Sequence, residues 1–178
     1  MYMKQIIFLR HAETNLNKEG RFCGRINIGI TEEGRNQAEK MRKTLNQYSF
    51  NAIYCSPLER TKETLEAIFP NQKFIEDEGF SEIYLGDWEG LKKETVNQEL
   101  RKAFQKGKYT PPNGEKHEVV EARVKKAIDR IFATYPDSSL ILVCTSNGIM
   151  RTIKRMYKIK TENIMSENLE YFILEISK

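Results

Sequence analysis

Three polar runs follow directly on apolar ones. Arg10-His11-Ala12-Glu13-Thr14 follows residues 4–9, Ser56-Pro57-Leu58-Glu59-Arg60 follows residues 52–55, and Ser146-Asn147-Gly148 follows residues 139–145. The residue types suit phosphate chemistry. A neutral imidazole can attack phosphorus, while guanidinium groups grip phosphoryl oxygens bidentately and offset the charge that builds in the transition state. An isolated Arg-His pair at a strand end is ordinarily just solvated. Weight comes from the convergence of three such ends, because ligands of parallel α/β sheets collect outside the carboxyl ends of the strands.

The elements that must position these residues read from periodicity. Residues 4–9, 52–55, 139–145 and 170–176 are short apolar or β-branched runs, the third being the clearest strand. Between them, Ala38, Met41, Leu45 and Tyr48 mark one face of a helix starting near Thr31. Leu58, Thr61, Leu65 and Ile68 mark a second, and Val120, Val124, Ala127, Ile128 and Ile131 a third. Ser56-Pro57-Leu58-Glu59 reads as a capping box opening the second helix. Pro111-Pro112-Asn113-Gly114 reads as a loop between a polar helical stretch near residues 94–106 and the helix after Glu118. Strand–helix alternation at this spacing predicts a three-layer α/β/α sandwich with a mainly parallel central sheet, as a single domain over residues 1–178.

Composition narrows the function class. With 39% hydrophobic and 30% charged residues, the 178-residue chain reads as an ordinary globular protein. The net charge of +4 suits anionic ligands. Its cations are spread without a basic block or an aromatic platform, so no nucleic-acid partner is expected. Cys23, Cys55 and Cys144 form no C-x-x-C and read as free thiols, the last two in core positions. No apolar stretch reaches membrane-spanning length and the first residues are too short for a signal peptide, so the expectation is a cytoplasmic protein without a membrane partner. P-loop and dinucleotide fingerprints are missing, and two distant histidines leave no plausible metal shell.

The polar runs belong to a longer ordered pattern. Phe8-Leu9-Arg10-His11-Ala12-Glu13-Thr14-Asn15-Leu16-Asn17 resembles the L-R-H-G-E-T-x-x-N signature of the histidine phosphatase (phosphoglycerate mutase-like) superfamily. In register with it, Gly20-Arg21-Phe22-Cys23-Gly24 resembles G-R-x-x-G, and Ile30-Thr31-Glu32-Glu33-Gly34-Arg35-Asn36-Gln37-Ala38 resembles L-T-x-x-G-x-x-Q-A. Ser56 to Thr64 is similar to S-P-L-x-R-T-x-x-T. Glu82 to Gly90 is similar to E-x-x-x-G-x-W-E-G, and Asn113-Gly114-Glu115 to a G-G-E loop before the helix bearing Arg123. The resemblance implies a cofactor-independent phosphomonoesterase of the small phosphatase branch, with a small phosphorylated metabolite as its partner. It implies His11 as nucleophile through a phosphohistidine, Glu82 as general acid, Arg10 and Arg60 on the phosphoryl group, and Asn17 and Arg21 at its margin. Trp88 is read as core packing.

One departure bears on chemistry. Where the family carries S-H-G-G-x-x-R, this chain has Thr145-Ser146-Asn147-Gly148-Ile149-Met150-Arg151, so Ser146 stands at the second histidine. A serine donates one hydrogen bond and brings no charge, and losing a preorganised donor costs about 100- to 1000-fold in rate. Three readings stay open. Ser146 and Asn147, with backbone N–H groups of the following helix, hold the phosphate. His117, otherwise an exposed helix-start residue, swings in. Or the chain is a catalytically weak or inactive phosphate-binding regulatory module. Asn27 and Gly29 in place of D-x-P, and Ala12 in place of glycine, are lesser departures. Residues 161–167 are left as an interface, a loop or a substrate-contacting edge, and the sequence sets no oligomeric state.

Overall fold

Ile6 and Phe8 point to one face of the first strand, Ile7 and Leu9 to the other, and all four are fully buried. A strand apolar on both faces must be covered on both, which is the arrangement of a central parallel strand. The computed structural model describes residues 4–160 and 165–176. Its strands are β1 (Lys4–Arg10), β2 (Ala52–Cys55), β3 (Ile75–Glu76), β4 (Leu140–Thr145) and β5 (Tyr171–Ile176). They form one five-stranded sheet in the order β3-β2-β4-β1-β5, parallel except for β5, which runs antiparallel to β1. The helices are α1 (Asn15–Lys18), α2 (Glu32–Leu45), α3 (Glu59–Ile68), α4 (Gln98–Gln105), α5 (His117–Thr134) and α6 (Asn147–Met156).

Alternation along the strands splits the core in two. Ile6, Phe8, Ile141 and Val143 pack with Val120, Val124, Ile128 and Ile153 of α5 and α6. Ile7, Leu9, Leu142 and Cys144 pack with Ala38, Leu45, Leu65 and Ile68 of α2 and α3. The fold is therefore an α/β/α sandwich with a mostly parallel sheet. Trp88 is core, lying against Phe22, Phe104 and Tyr109. Burial pushes the Cys55 thiol up to about 12 and the Cys144 thiol well above its ordinary value, so both act as small apolar side chains.

The structure corrects the helix start read at Ser56. Leu58, not Ser56, is the N-cap of α3. The Ser56 hydroxyl lies 2.9 Å from that of Thr61, and the N–H of Glu59 donates to Asn27 Oδ1 at 2.8 Å. A side chain from a distant loop thus takes the orphan donor that a local cap would have satisfied. The two-residue β3 is a further addition to the strands read from the sequence. Residues 161–164 of the stretch 161–167 lie outside the described residues.

Candidate functional site

β1 and β4 run parallel in register, Arg10 beside Thr145, so the next residues of each, His11 and Ser146, emerge at the same sheet edge. The N–H of His11 donates to Thr145 O at 3.0 Å, and the Ala12 N–H donates to Thr64 Oγ1 at 2.9 Å. Ala12 is fully buried and is not among the residues with positive φ, so its methyl group is tolerated where the family has glycine. His11 is itself 3% exposed. Its Nδ1 lies 2.7 Å from Ala12 O, and since a carbonyl only accepts, Nδ1 carries the proton and Nε2 keeps its lone pair. Burial, then the charges of Arg60 and Arg10, hold the imidazole well below its ordinary value of 6.5 despite that hydrogen bond.

A cavity of about 120 Å³ opens at this edge. Arg10, His11, Asn17, Arg21, Arg60 and Glu82 all line it, as does Asn147 at the start of α6. Arg60 is fully buried, with Nη1 and Nη2 donating to Ile26 O at 3.0 Å and Gly24 O at 2.6 Å. Arg10 donates to Ser166 O. Asn17 Oδ1 accepts from Thr14 N and from Asn168 Nδ2, both at 3.3 Å. Arg21 is tied to Glu19 at 2.7 Å and to Gly90 O at 2.8 Å. Asn147 Oδ1 accepts from Ser166 N at 3.2 Å.

Ser146 needs a correction. It is fully buried, it is not on the cavity wall, and its Oγ lies 3.4 Å from Arg60 Nη2. Its hydroxyl thus accepts from the guanidinium that the family resemblance puts on the phosphoryl group. His117 is corrected as well. It is 5% exposed rather than surface-lying, and its Nε2–H donates to Tyr109 O at 2.9 Å. The Phe104 ring, 5.3 Å away, packs against it and itself lines the cavity, which His117 does not.

Glu82 is held on every side. Its Oε1 accepts from Ile83 N at 2.8 Å and its Oε2 from Gly148 N at 3.1 Å. Its carbonyl accepts from Arg25 Nε at 2.9 Å and Arg123 Nη2 at 3.3 Å. Glu115 joins those two arginines, at 3.1 Å from Arg25 and 2.9 Å from Arg123. Burial would raise the Glu115 carboxyl, but Arg123 and then Arg25 outweigh it and hold it below the ordinary value. A Cβ at Gly148 would fall 2.2 Å from Glu82 Oε1, so any larger residue there obliges the Glu82 side chain to shift. On the general-acid role that the family resemblance implies for Glu82, Gly148→Ala is expected to displace the carboxylate and lower kcat on alkyl phosphates by roughly 100-fold, the cost of misplacing a reacting group by about 1 Å. Steady-state kinetics would show it, and an unchanged kcat would mean that Glu82 does not act from this position.

Sequence reasoning missed several residues. Asn168 donates to His11 O at 2.8 Å, and Lys93, Arg101, Phe104 and Met165 line the cavity. Of the stretch 161–167, Met165 thus reaches the ligand space. Arg151 lines it too and had been used only to align the motif. Apart from Arg151, the arginine of the S-H-G-G-x-x-R pattern, no local pattern marks them. Among the described residues, no group of three or more His, Cys, Asp or Glu side chains could hold a metal ion, and no helix is long and apolar enough to cross a membrane.

His11 makes stability depend on pH. The unfolded imidazole takes up a proton near 6.5 while the folded one resists it, so the folded state binds fewer protons below that pH. Stability is therefore full above 6.5 and falls as pH drops below it, by up to about 1.4 kcal/mol per pH unit from this group. Urea unfolding at pH 7.5, 6.5 and 5.5 should show a declining midpoint, with the decline reduced in His11→Ala.

A buried, singly protonated histidine between arginines at the carboxyl edge of a parallel sheet defines a phosphoryl-handling α/β protein. The chain matches the histidine phosphatase superfamily (branch 1) over residues 6–176, and it belongs to that family. It is 31% identical to the 2,3-bisphosphoglycerate-dependent phosphoglycerate mutase 2 of Bacteroides thetaiotaomicron, covering 94% of this chain and 83% of that one. It is 26% identical to the adenosylcobalamin/alpha-ribazole phosphatase of Salmonella typhimurium, covering 80% and 73%. A mycobacterial glucosyl-3-phosphoglycerate phosphatase shares the fold, with a TM-score of 0.84 over 95% of this chain and 91% of that one at 22% identity. Phosphatases and a mutase thus both stand among its relatives.

Proposed function

We propose that this chain is a phosphomonoesterase that hydrolyses a small phosphorylated metabolite through a phosphohistidine on His11. The observation that carries the reading is the Nδ1–Ala12 O hydrogen bond of a buried His11, which leaves Nε2 unprotonated on a residue that lines a cation-rich cavity. Nε2 attacks phosphorus and the bond to the leaving oxygen breaks, with Glu82 delivering its proton to that oxygen. The resulting Glu82 carboxylate then takes a proton from water, whose oxygen attacks the phosphohistidine and releases His11 and inorganic phosphate. Arg10 and Arg60 hold the phosphoryl oxygens, with Asn17 and Arg21 at the margin. Asn147 and the first turn of α6, where the Gly148 N–H is already given to Glu82, supply an anion-binding end. Ser146 serves here by backing Arg60.

Without a cation at position 146, turnover should run about 100- to 1000-fold below that of a site with two histidines. The same feature favours a second reading, a regulatory module that binds phosphate without turnover. Phosphate release from a panel of esters in the presence of EDTA separates the two. Metal-independent turnover with an acid-labile phosphoenzyme in quenched samples supports the enzyme. No release from any ester, with phosphate binding retained, would leave the binding module.

A further inference from the structure

Ser166 is held through its carbonyl, its amide and its side chain at once. The carbonyl accepts from Arg10, and the N–H donates to Asn147 Oδ1 at 3.2 Å. The hydroxyl accepts from Lys154 Nζ at 3.0 Å. The contact to Ser166 O is the one hydrogen bond that the Arg10 side chain makes among the described residues. Where Ser166 sits therefore sets where the Arg10 guanidinium points. The residues that follow grip the same end of β1. Asn168 Nδ2 donates to His11 O at 2.8 Å and to Asn17 Oδ1 at 3.3 Å, and the Leu169 N–H donates to Arg10 O at 3.1 Å. Leu169 has a φ of 62°, in the left-handed region that is costly for a leucine. Such a turn keeps its shape only where its neighbours determine it.

Lys154 is the unexpected neighbour. It ends a run of α6 that is buried from Gly148 onward, and it is 4% exposed itself. Lysines are almost never buried to that degree unless something answers the charge. Three groups answer it here: the Ser166 hydroxyl, the Glu170 carboxylate at 3.7 Å and the face of the Phe172 ring at 5.4 Å. Asn147, Arg151 and Lys154 stand at i, i+4 and i+7, so they share one face of α6. Arg151 Nη1 lies 3.3 Å from Met165 Sδ. One helix face thus holds residues 165 and 166 at three points, and both bear on the cavity, Met165 from its wall and Ser166 through Arg10. An apolar residue at 154 would fill the core without the desolvation that a buried charge costs. What the lysine adds is a fixed donor to Ser166.

We propose that Lys154 is a positioning residue whose ammonium pins Ser166 and, through it, sets Arg10 and Asn147 for the phosphoryl group. This rests on the phosphate site of the reading above and does not require turnover. Calorimetric affinity of the full chain for inorganic phosphate tests it, beside urea unfolding of the same samples. Lys154→Met keeps the apolar stem and leaves the partly exposed Glu170 to water, so the urea midpoint should stay near that of the parent chain. Phosphate affinity should nevertheless fall about tenfold, the scale on which losing a contact behind a ligand-holding side chain weakens binding. Ser166→Ala cuts the same tie from its other end, keeps the backbone groups and should weaken binding about threefold. It repeats the test should Lys154→Met fail to fold. The double variant should bind within about twofold of Lys154→Met alone, because both changes break one contact. Losses that multiply would overturn the tie through Ser166. Phosphate affinity within about twofold of the parent chain in folded Lys154→Met would overturn the positioning role, whatever the urea midpoint. If the parent chain hydrolyses esters and that variant binds phosphate unchanged, the positioning role fails and the phosphatase stands. Weakened binding in variants of a chain that turns over no ester would sink the phosphatase and keep the positioning role.

Discussion

His11→Ala is expected to lose phosphate release by about 10⁴-fold or more, the scale on which removing a nucleophile removes a covalent pathway. No other group can take its place. Attack needs a neutral imidazole nitrogen on the cavity wall, and His11 alone provides it. The chain has one other histidine, His117, whose Nε2–H is spent on Tyr109 O and which lies behind Phe104. The variant should still bind phosphate, because Arg10 and Arg60 are anchored by Ser166, Gly24 and Ile26 rather than by His11. Turnover and phosphate affinity measured on one folded sample would test both halves. Residual turnover within tenfold of the parent chain would place the nucleophile elsewhere.

Glu82→Gln should show a loss that depends on the leaving group. For an alkyl phosphate, whose departing alkoxide must be protonated, the loss should be about 10²- to 10⁴-fold. For 4-nitrophenyl phosphate, whose phenolate leaves unaided, it should be at least tenfold smaller, because only the second step still calls on a base. Glutamine keeps one oxygen to accept from Ile83 N or Gly148 N, so the local backbone is disturbed little. Equal losses in kcat/KM, which reports phosphoenzyme formation alone, would mean that Glu82 does not protonate the leaving group. The hydrogen bonds to its carbonyl, tied together by Glu115, come from Arg25 and Arg123, far apart in the chain. Such convergence is the kind of support a proton-transferring carboxylate needs.

Much of this was legible in the order of residues. The strand runs at 4–9, 52–55 and 139–145 differ from the observed elements by at most a residue at either end. Buried parallel strands leave an unbroken apolar run, and that signal is local. The run beginning at Arg10, the one ending at Arg60 and the turn at Ser146 each sit at a strand end, so local pattern and topology together suffice to bring them to one edge. Gly148 and Glu82 show where this stops. Nothing in Asn147-Gly148-Ile149 says that a carboxylate from another loop lies where a Cβ of residue 148 would be.

Tertiary structure alone decided what each group faces. Ser56 has the spacing of a helix cap, yet Asn27 reaches across and the helix starts at Glu59. Ser146 has the family's histidine position, yet it turns to Arg60 and leaves the cavity to others. Lys93, Arg101 and Arg151 come from three separate elements and meet only when the chain folds over the site. Periodicity reports how a residue sits relative to its own helix or strand. Which distant side chain lies opposite is set by packing between elements, and the charge of the cavity is a property of that packing.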